Sequence, residues 1–263
     1  VATVRYGLGG PDFSLNAASA TGAQILYLAG SLVASGMADL VVAVATDAEV
    51  TPIVRSAMER NRSVSSNVDC RPLSAGRSGM APVEGAACVI LESAEHAARR
   101  GASPMAEWIG GALANEASHL MAPDPEARVL EDLIRRARAC AVDKRGEGSE
   151  IDWISLHATG TPRFDAAEVG CLLRVFGAGL PWISALKRTT GHALAASGLM
   201  EAGLIAEGLR ARAVPSWPSE IDPALGLPDF PPDGGGVKPK LALQIGQGMG
   251  GTVVVNLLGA VDQ

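Results

Sequence analysis

Three groups of residues in this sequence could do chemistry together. Ser19 lies in Ser14-Leu15-Asn16-Ala17-Ala18-Ser19-Ala20-Thr21-Gly22-Ala23-Gln24, where a short apolar strand over 13–17 is expected to give way to a long uncharged helix. A hydroxyl at such a helix start sits over the positive end of the dipole and beside unpaired backbone N–H groups, which can hold a reacting oxygen anion. Taken alone, the stretch reads first as a helix cap or a small packing residue, because Ser is favoured at helix starts. The second group is His157-Ala158-Thr159-Gly160-Thr161-Pro162, followed by Asp165 and Glu168. The third runs from Lys187 through Gly191 to His192, with Glu201 beyond. Only four histidines occur in 263 residues, and two of them fall in these glycine-threonine turns. One such histidine is more often structural. Two in matching positions with a nearby lysine, set against a helix-start hydroxyl, are the ingredients of a nucleophile, a base and electrostatic support.

The elements that would position these groups alternate along the chain. An approach loop and the strand 13–17 precede a buried helix over 20–36. Asp39–Ala45 is a continuous apolar run of the kind buried on both faces of a sheet. Residues 51–60 read as helix, 61–82 as a Gly/Pro-punctuated loop, 86–92 as another buried strand and 93–100 as a short helix. A second set follows, with strands at 105–114, 151–156 and 182–186 and helices at 125–142, 164–176 and 192–211. A proline-rich loop over 213–238 and strands at 240–246 and 252–258 close the chain. Strands alternating with helices predict a layered α/β fold, and its sites are expected at strand ends.

Composition narrows the class. The sequence is 48% hydrophobic but only 4% aromatic, so the core must be built from Ala, Val, Leu and Ile. A formal net charge of −6 argues against nucleic acid or an anionic membrane as the main partner. Cys70, Cys88, Cys140 and Cys171 form no CxxC pair and no metal-ligand spacing. They read as reduced, mostly buried thiols of a cytoplasmic protein, and no metal is expected. Residues 17–38 carry no charge, but three serines, a threonine and a glutamine favour a buried helix over a membrane span. No signal peptide is legible, and the sequence begins at Val1.

These residues resemble the β-ketoacyl-acyl carrier protein synthases (ketosynthases) of the thiolase superfamily. The segment 157–162 resembles the family's HGTGTP turn, and Lys187–His192 its K-x-x-x-G-H segment. Arg71-Pro72-Leu73 with Arg77 and Gly79, then Glu84-Gly85-Ala86, is similar to its RPF…RDG…GEGA stretch. Gly248-Met249-Gly250-Gly251-Thr252 resembles its GFGGTN loop. The resemblance implies a thiolase-like layered αβαβα fold of two pseudo-equivalent halves. Here these are the remainder of the N-terminal half over 1–104 and a complete C-terminal half over 105–263. It also implies that strands opening the first half are supplied by a second ketosynthase-like chain or a missing N-terminal segment, within a homo- or hetero-oligomer.

Carried over by position, the resemblance makes Ser19 the nucleophile, where the family has cysteine. It implies that His157 and His192 stabilise the enolate formed when a malonyl-carrier thioester loses CO2. Lys187 and Glu201 become a supporting charged pair, with Asp165 and Glu168 beside the histidine turn. Thr159 and Thr161 would hold the phosphopantetheine arm of an acyl carrier protein, no cofactor being bound permanently. The N–H groups of Ser19 and Met249 would form an oxyanion hole, worth ~3 kcal/mol per donor. A serine hydroxyl is far less acidic than a thiol, so it needs His157 or His192 as base. Its acyl ester is also less activated than a thioester. Acyl transfer is therefore expected to suit Ser19 better than rapid condensation.

Three readings of Ser19 stand at this point: a natural serine nucleophile, an engineered replacement that traps an ordinary condensing enzyme, and the mark of a non-catalytic partner like the chain-length-factor subunits. Ala158, Ser78, Met249 and Val253 also depart from the family pattern, which favours natural divergence. Retention of both histidines, Lys187 and Glu201 favours an active enzyme. Arg55, Arg60 and Arg62, interrupted by Glu59, and the pair Arg99-Arg100 are the candidate surfaces for an acidic carrier protein.

Overall fold

A computed structural model describes residues 2–48, 51–61, 63–65 and 71–261. The chain opens with a short helix α1 (Ala2–Tyr6), followed by α2 (Thr21–Ala34), β1 (Leu40–Asp47), α3 (Pro52–Arg60), β2 (Gly85–Glu92) and α4 (Ala94–Arg99). Next come β3 (Glu107–Asn115), α5 (Arg128–Arg145), β4 (Trp153–Ser155), α6 (Pro162–Phe176), β5 (Trp182–Ser184) and α7 (Lys187–Thr190). The chain closes with α8 (Ser197–Ala211), β6 (Leu241–Gln247) and β7 (Thr252–Gly259).

These elements form two sheets. β1 and β2 pair antiparallel from Leu40↔Glu92 to Asp47↔Gly85. The larger sheet has the order β3-β7-β6-β4-β5, with β4 parallel to both β5 and β6, and β7 antiparallel to β6 and β3. Helices α2 and α8 pack on each other between the two sheets, and α5 and α6 cover the far side of the larger one. The result is the thiolase-like layered α/β architecture that the sequence predicts. Both middle helices are enclosed: α2, which carries no charge, buries Leu26, Ala29 and Leu32, and α8 buries Leu199, Ala202 and Ile205.

Glycines set how closely the middle helices cross. A Cβ built on Gly22 would lie 2.6 Å from the Leu199 nitrogen, and one on Gly198 only 2.2 Å from the Ala23 nitrogen. Backbone meets backbone there, and no side chain can yield. A buried amide network fixes the same crossing from the sheet side. Asn256 Nδ2 donates to the Ala23 carbonyl (3.0 Å) and to Gln244 Oε1 (3.1 Å), while Gln244 Nε2 donates to the Gly198 carbonyl (2.5 Å). Trp108 Nε1 completes it by donating to Asn256 Oδ1 at 3.0 Å. Each buried amide is thus satisfied, which such groups require.

Four expectations are corrected. The strand over 13–17 does not form, because among the described residues it has no neighbouring strand to supply ladder bonds; only an isolated Ala17–Ser19 bridge is present. The opening loop instead contains the unforeseen α1. Strands β1 and β2 are not buried on both faces. Their inner residues Ala43 and Ala45 are buried, whereas Val42, Val44 and Ile90 are 38%, 55% and 57% exposed. An apolar run cannot by itself report which face is covered. The cysteines are not mostly buried: Cys171 is, Cys140 is intermediate and Cys88 is exposed on the outer face of β2, while Cys70 lies outside the described residues. The helix expected over 192–211 begins only at Ser197, after a short turn over Leu194–Ala196. Among the described residues no helix is long and apolar enough to cross a membrane.

Gly198→Ala should force α2 and α8 apart and lower stability by ~1–3 kcal/mol, the usual range for overpacking. Chemical denaturation checks this, and an unchanged midpoint would show that the crossing has slack.

Candidate active site

Ser19 sits on an elbow rather than at a strand end. Ala18 takes the left-handed conformation (φ 49°), which turns the chain sharply three residues before α2 begins. Thr21 stitches the elbow shut: its Oγ1 donates to the Ala18 carbonyl at 2.7 Å and accepts from the Ala17 N–H at 2.8 Å. Ala20, not Ser19, occupies the cap position, so the Ser19 hydroxyl is not used to cap the helix. The loop after β6 backs onto this elbow. A Cβ on Gly248 would lie 2.3 Å from the Ala17 carbonyl oxygen, so glycine is required for Met249 to come this close. Neither the Ser19 nor the Met249 N–H has a backbone partner among the described residues.

The histidines arrive from the C-terminal ends of the parallel strands β4 and β5. His192 Nε2 and Ser19 Oγ share a hydrogen bond of 2.9 Å, and His192 Nδ1 is 3.0 Å from Ser197 Oγ. The rings of His157 and His192 stand edge to face with centroids 5.8 Å apart. Both are buried. Burial first, then the charge of Lys187, holds both imidazoles well below the usual histidine range; His192 adds a further push on His157. Both are therefore neutral at pH 7. The remaining histidines are elsewhere: His96 bonds Glu92, and His119 accepts from the Met121 and Ala122 N–H groups.

Lys187 Nζ lies 2.6 Å from Glu201 Oε1, with both side chains almost wholly buried. Burial raises the Glu201 carboxyl and Lys187 opposes it. Glu168 accepts from the His157 N–H (2.7 Å) and the Ala158 N–H (2.9 Å), bracing the turn that carries the His157 ring. Burial pushes Glu168 up to about 7 against these bonds. Asp165 accepts from the Gly160 and Leu73 N–H groups at 3.1 and 2.8 Å, so one carboxyl ties the histidine turn to the 71–77 loop. Its carboxyl rises to about 6 for the same reason. Thr159 Oγ1 donates to Thr161 Oγ1 at 3.0 Å within that turn.

Apart from the arginines nominated as carrier surfaces, the nominated residues lie around Ser19 and the two histidines or in the turns that hold them. Missing from the sequence reading are Thr21, Ser197, Asp222 and the Gln244–Asn256 pair. Asp222 binds Arg77 Nη1 at 2.6 Å and donates its N–H to the Leu73 carbonyl, anchoring the 71–77 loop. No local motif marks Asp222 or the Gln244–Asn256 pair, because their partners lie far away in sequence; Thr21 and Ser197 bond within five residues but read as ordinary helix-start residues.

Comparison with known proteins identifies the family. The family description "Beta-ketoacyl synthase, N-terminal domain" matches residues 1–97, and "Beta-ketoacyl synthase, C-terminal domain" matches residues 105–219. The chain belongs to the β-ketoacyl synthase family. One ketosynthase relative, 3-oxoacyl-[acyl-carrier-protein] synthase I, chloroplastic, from Arabidopsis thaliana, is 34% identical over 206 residues, which are 76% of this chain and 43% of the relative. A solved structure of a type II PKS acyl-carrier protein in complex with its ketosynthase superposes with a TM-score of 0.89 at 28% identity, over 99% of this chain and 66% of that one. The ishigamide ketosynthase/chain length factor superposes with a TM-score of 0.84 at 27% identity, over 95% and 61%. The chain spans about half the length of the curated ketosynthase relatives it matches.

The raised Glu168 carboxyl has a consequence for stability. Its folded value of about 7 lies above the ordinary 4.5, so the folded state holds this proton more tightly. The contribution is full below pH 4.5 and is lost as pH rises through about 7. In Glu168→Gln, which does not titrate, the wild-type stability advantage should therefore shrink by up to about 3 kcal/mol across that window. The two buried histidines are common to both proteins and cancel in the difference. Denaturant unfolding at a series of pH values measures it, and a constant difference would refute the assignment.

Proposed function

We propose that the protein is a ketosynthase-like acyltransferase acting on acyl-carrier-protein thioesters in fatty-acid or polyketide biosynthesis, with the acyl group taken on Ser19. The 2.9 Å hydrogen bond between Ser19 Oγ and His192 carries this reading, because it joins a hydroxyl that caps nothing to a neutral imidazole. Ser19 Oγ attacks the thioester carbonyl, forming the C–O bond. Its proton passes to a neutral imidazole, His157 or His192, and then to the pantetheine sulfur as the C–S bond breaks. The oxyanion of the tetrahedral intermediate faces the Ser19 and Met249 N–H groups, which have no competing backbone acceptors among the described residues.

Thr159 and Thr161 line the approach of the phosphopantetheine arm, and no permanently bound cofactor takes part. Lys187 and Glu201 act as a buried charge pair beside the imidazoles, which burial and then the Lys187 charge keep neutral. Decarboxylative condensation onto the acyl-serine would follow as the slower reaction, with His157 and His192 stabilising the enolate. The acyl carrier protein would dock beside exposed Arg60 or Arg99; Arg55 is already paired with Glu59 at 3.0 Å, Arg100 with Glu92, and Arg62 lies outside the described residues. The cytoplasmic setting follows from cysteines without disulfide or metal spacing.

The uncovered face of the small sheet supports a polypeptide partner. Val42 sits opposite Ile90 and Val44 opposite Cys88, forming an apolar strip on a two-stranded sheet. Exposed patches of this kind mark interaction surfaces. Further ketosynthase-like polypeptide, from the same or a second chain, would cover it and complete the half comprising residues 1–104, beside the half at 105–263.

Intact-mass analysis after incubation with an acyl-carrier thioester tests the chemistry. Wild type should gain one acyl group, and Ser19→Ala should gain none. An unmodified wild type accompanied by a second ketosynthase-like chain would favour the non-catalytic, chain-length-factor-like reading. For the partner, this chain alone should self-associate or melt early in size-exclusion and thermal measurements. A monodisperse, thermally stable monomer would overturn that part.

A further inference from the structure

The two histidines differ in their surroundings. His192 has a hydroxyl on each ring nitrogen, Ser19 at Nε2 and Ser197 at Nδ1. His157 makes ring contacts with Phe164 and His192, but no hydrogen bond to either of its ring nitrogens is present among the described residues. A serine in the first turn of a helix usually turns its hydroxyl to the backbone of its own helix. Ser197 opens α8 yet points at the imidazole instead, and Ala196 is the cap residue. Ser197 and His192 are 4% and 0% exposed. The neighbouring Gly198 is pinned at the helix crossing, so Ser197 has little freedom to turn away.

We propose that Ser197 is a positioning residue: its hydroxyl donates to Nδ1 of His192 and so fixes the tautomer that carries its proton on Nε2, aimed at Ser19 Oγ. The direction follows from hydrogen-bond accounting. Nδ1 is the hydrogen-bond partner of the Ser197 hydroxyl, and a buried hydroxyl that accepted from Nδ1–H would leave its own proton unpaired. Half-buried Ser19, by contrast, can accept from Nε2–H and still turn its own proton elsewhere. This inference rests on Ser19 as the acyl acceptor and divides the labour left open above. His192 polarises the Ser19 oxygen as a donor, and His157, whose ring nitrogens are unpaired, takes the proton and returns it to the departing sulfur.

Nitrogen-15 spectra of histidine-labelled protein, in its complex with any co-purifying chain, test the assignment. His192 should show a protonated Nε2 and an unprotonated Nδ1 in wild type. Ser197→Ala should shift it toward the Nδ1–H form and slow Ser19 acylation by about tenfold, the scale of one lost hydrogen bond. Ser197→Thr should restore both. A wild-type His192 protonated on Nδ1, or a tautomer that Ser197→Ala leaves unchanged, would overturn the proposal. So would a shifted tautomer with an unchanged acylation rate. The spectrum of wild type needs no variant to fold and no turnover. Absence of a Ser19 adduct alongside the expected tautomer would overturn the proposed function and the division of labour, while leaving the Ser197–His192 assignment standing.

Discussion

The close crossing of α2 and α8 is the constraint on which the rest of this structure depends. Ser19 precedes one of these helices and His192 the other, so their hydrogen bond exists only while Gly22 and Gly198 let the backbones touch. Packing alone would leave the crossing free to slide. The Asn256–Gln244 network removes that freedom by binding one carbonyl on each helix to the same sheet. Buried amide networks are costly when half-satisfied, and this one is complete. It converts a glycine contact into a defined register between the Ser19 hydroxyl and the His192 imidazole.

Around that crossing the electrostatics follow one plan. Burial makes charge expensive, and the groups respond in pairs or by staying neutral. Lys187 and Glu201 offset each other at 2.6 Å, and the two imidazoles remain uncharged beside them. Asp165 and Glu168 are pushed toward their protonated forms but are held by backbone N–H groups, so they act as braces for the turn carrying His157. The Ser19 hydroxyl and the two imidazoles thereby stand uncharged at the centre of the site.

Much of this was legible in the sequence, for identifiable reasons. Residues 157–162 and 187–192 form compact turns whose glycine, threonine and histidine spacing is local, so the motif and the geometry coincide. The buried helix α2 was legible from its uncharged run and the helix expected over 125–142 from its amphipathic pattern, each to within a few residues at its ends. Asp222 and the Gln244–Asn256 pair escaped because their partners are distant in sequence. Asn256 and Ala23 are joined across 233 residues, and no local pattern announces that bond. The strand expected over 13–17 has the right residues but nothing to pair with. β1 and β2 have strand sequences, yet their runs of Val, Ala and Ile look the same whether one face is covered or two. Ser197 escaped because a serine at a helix start already has a common local explanation.

Ser19 itself is lightly built into the scaffold. Among the described residues its side chain makes one hydrogen bond, to His192, is only half-buried and belongs to no apolar cluster. The elbow is shaped by Ala18, Thr21 and Gly248 instead. Exchange of the reacting atom at this position, between oxygen and sulfur, therefore asks little of the fold, whereas exchange at Gly22 or Gly198 would ask a great deal. In evolutionary terms Ser19, the acyl acceptor proposed above, is the most lightly held part of the site. On that proposal a lineage could try a different acyl chemistry by changing one residue while inheriting the geometry intact.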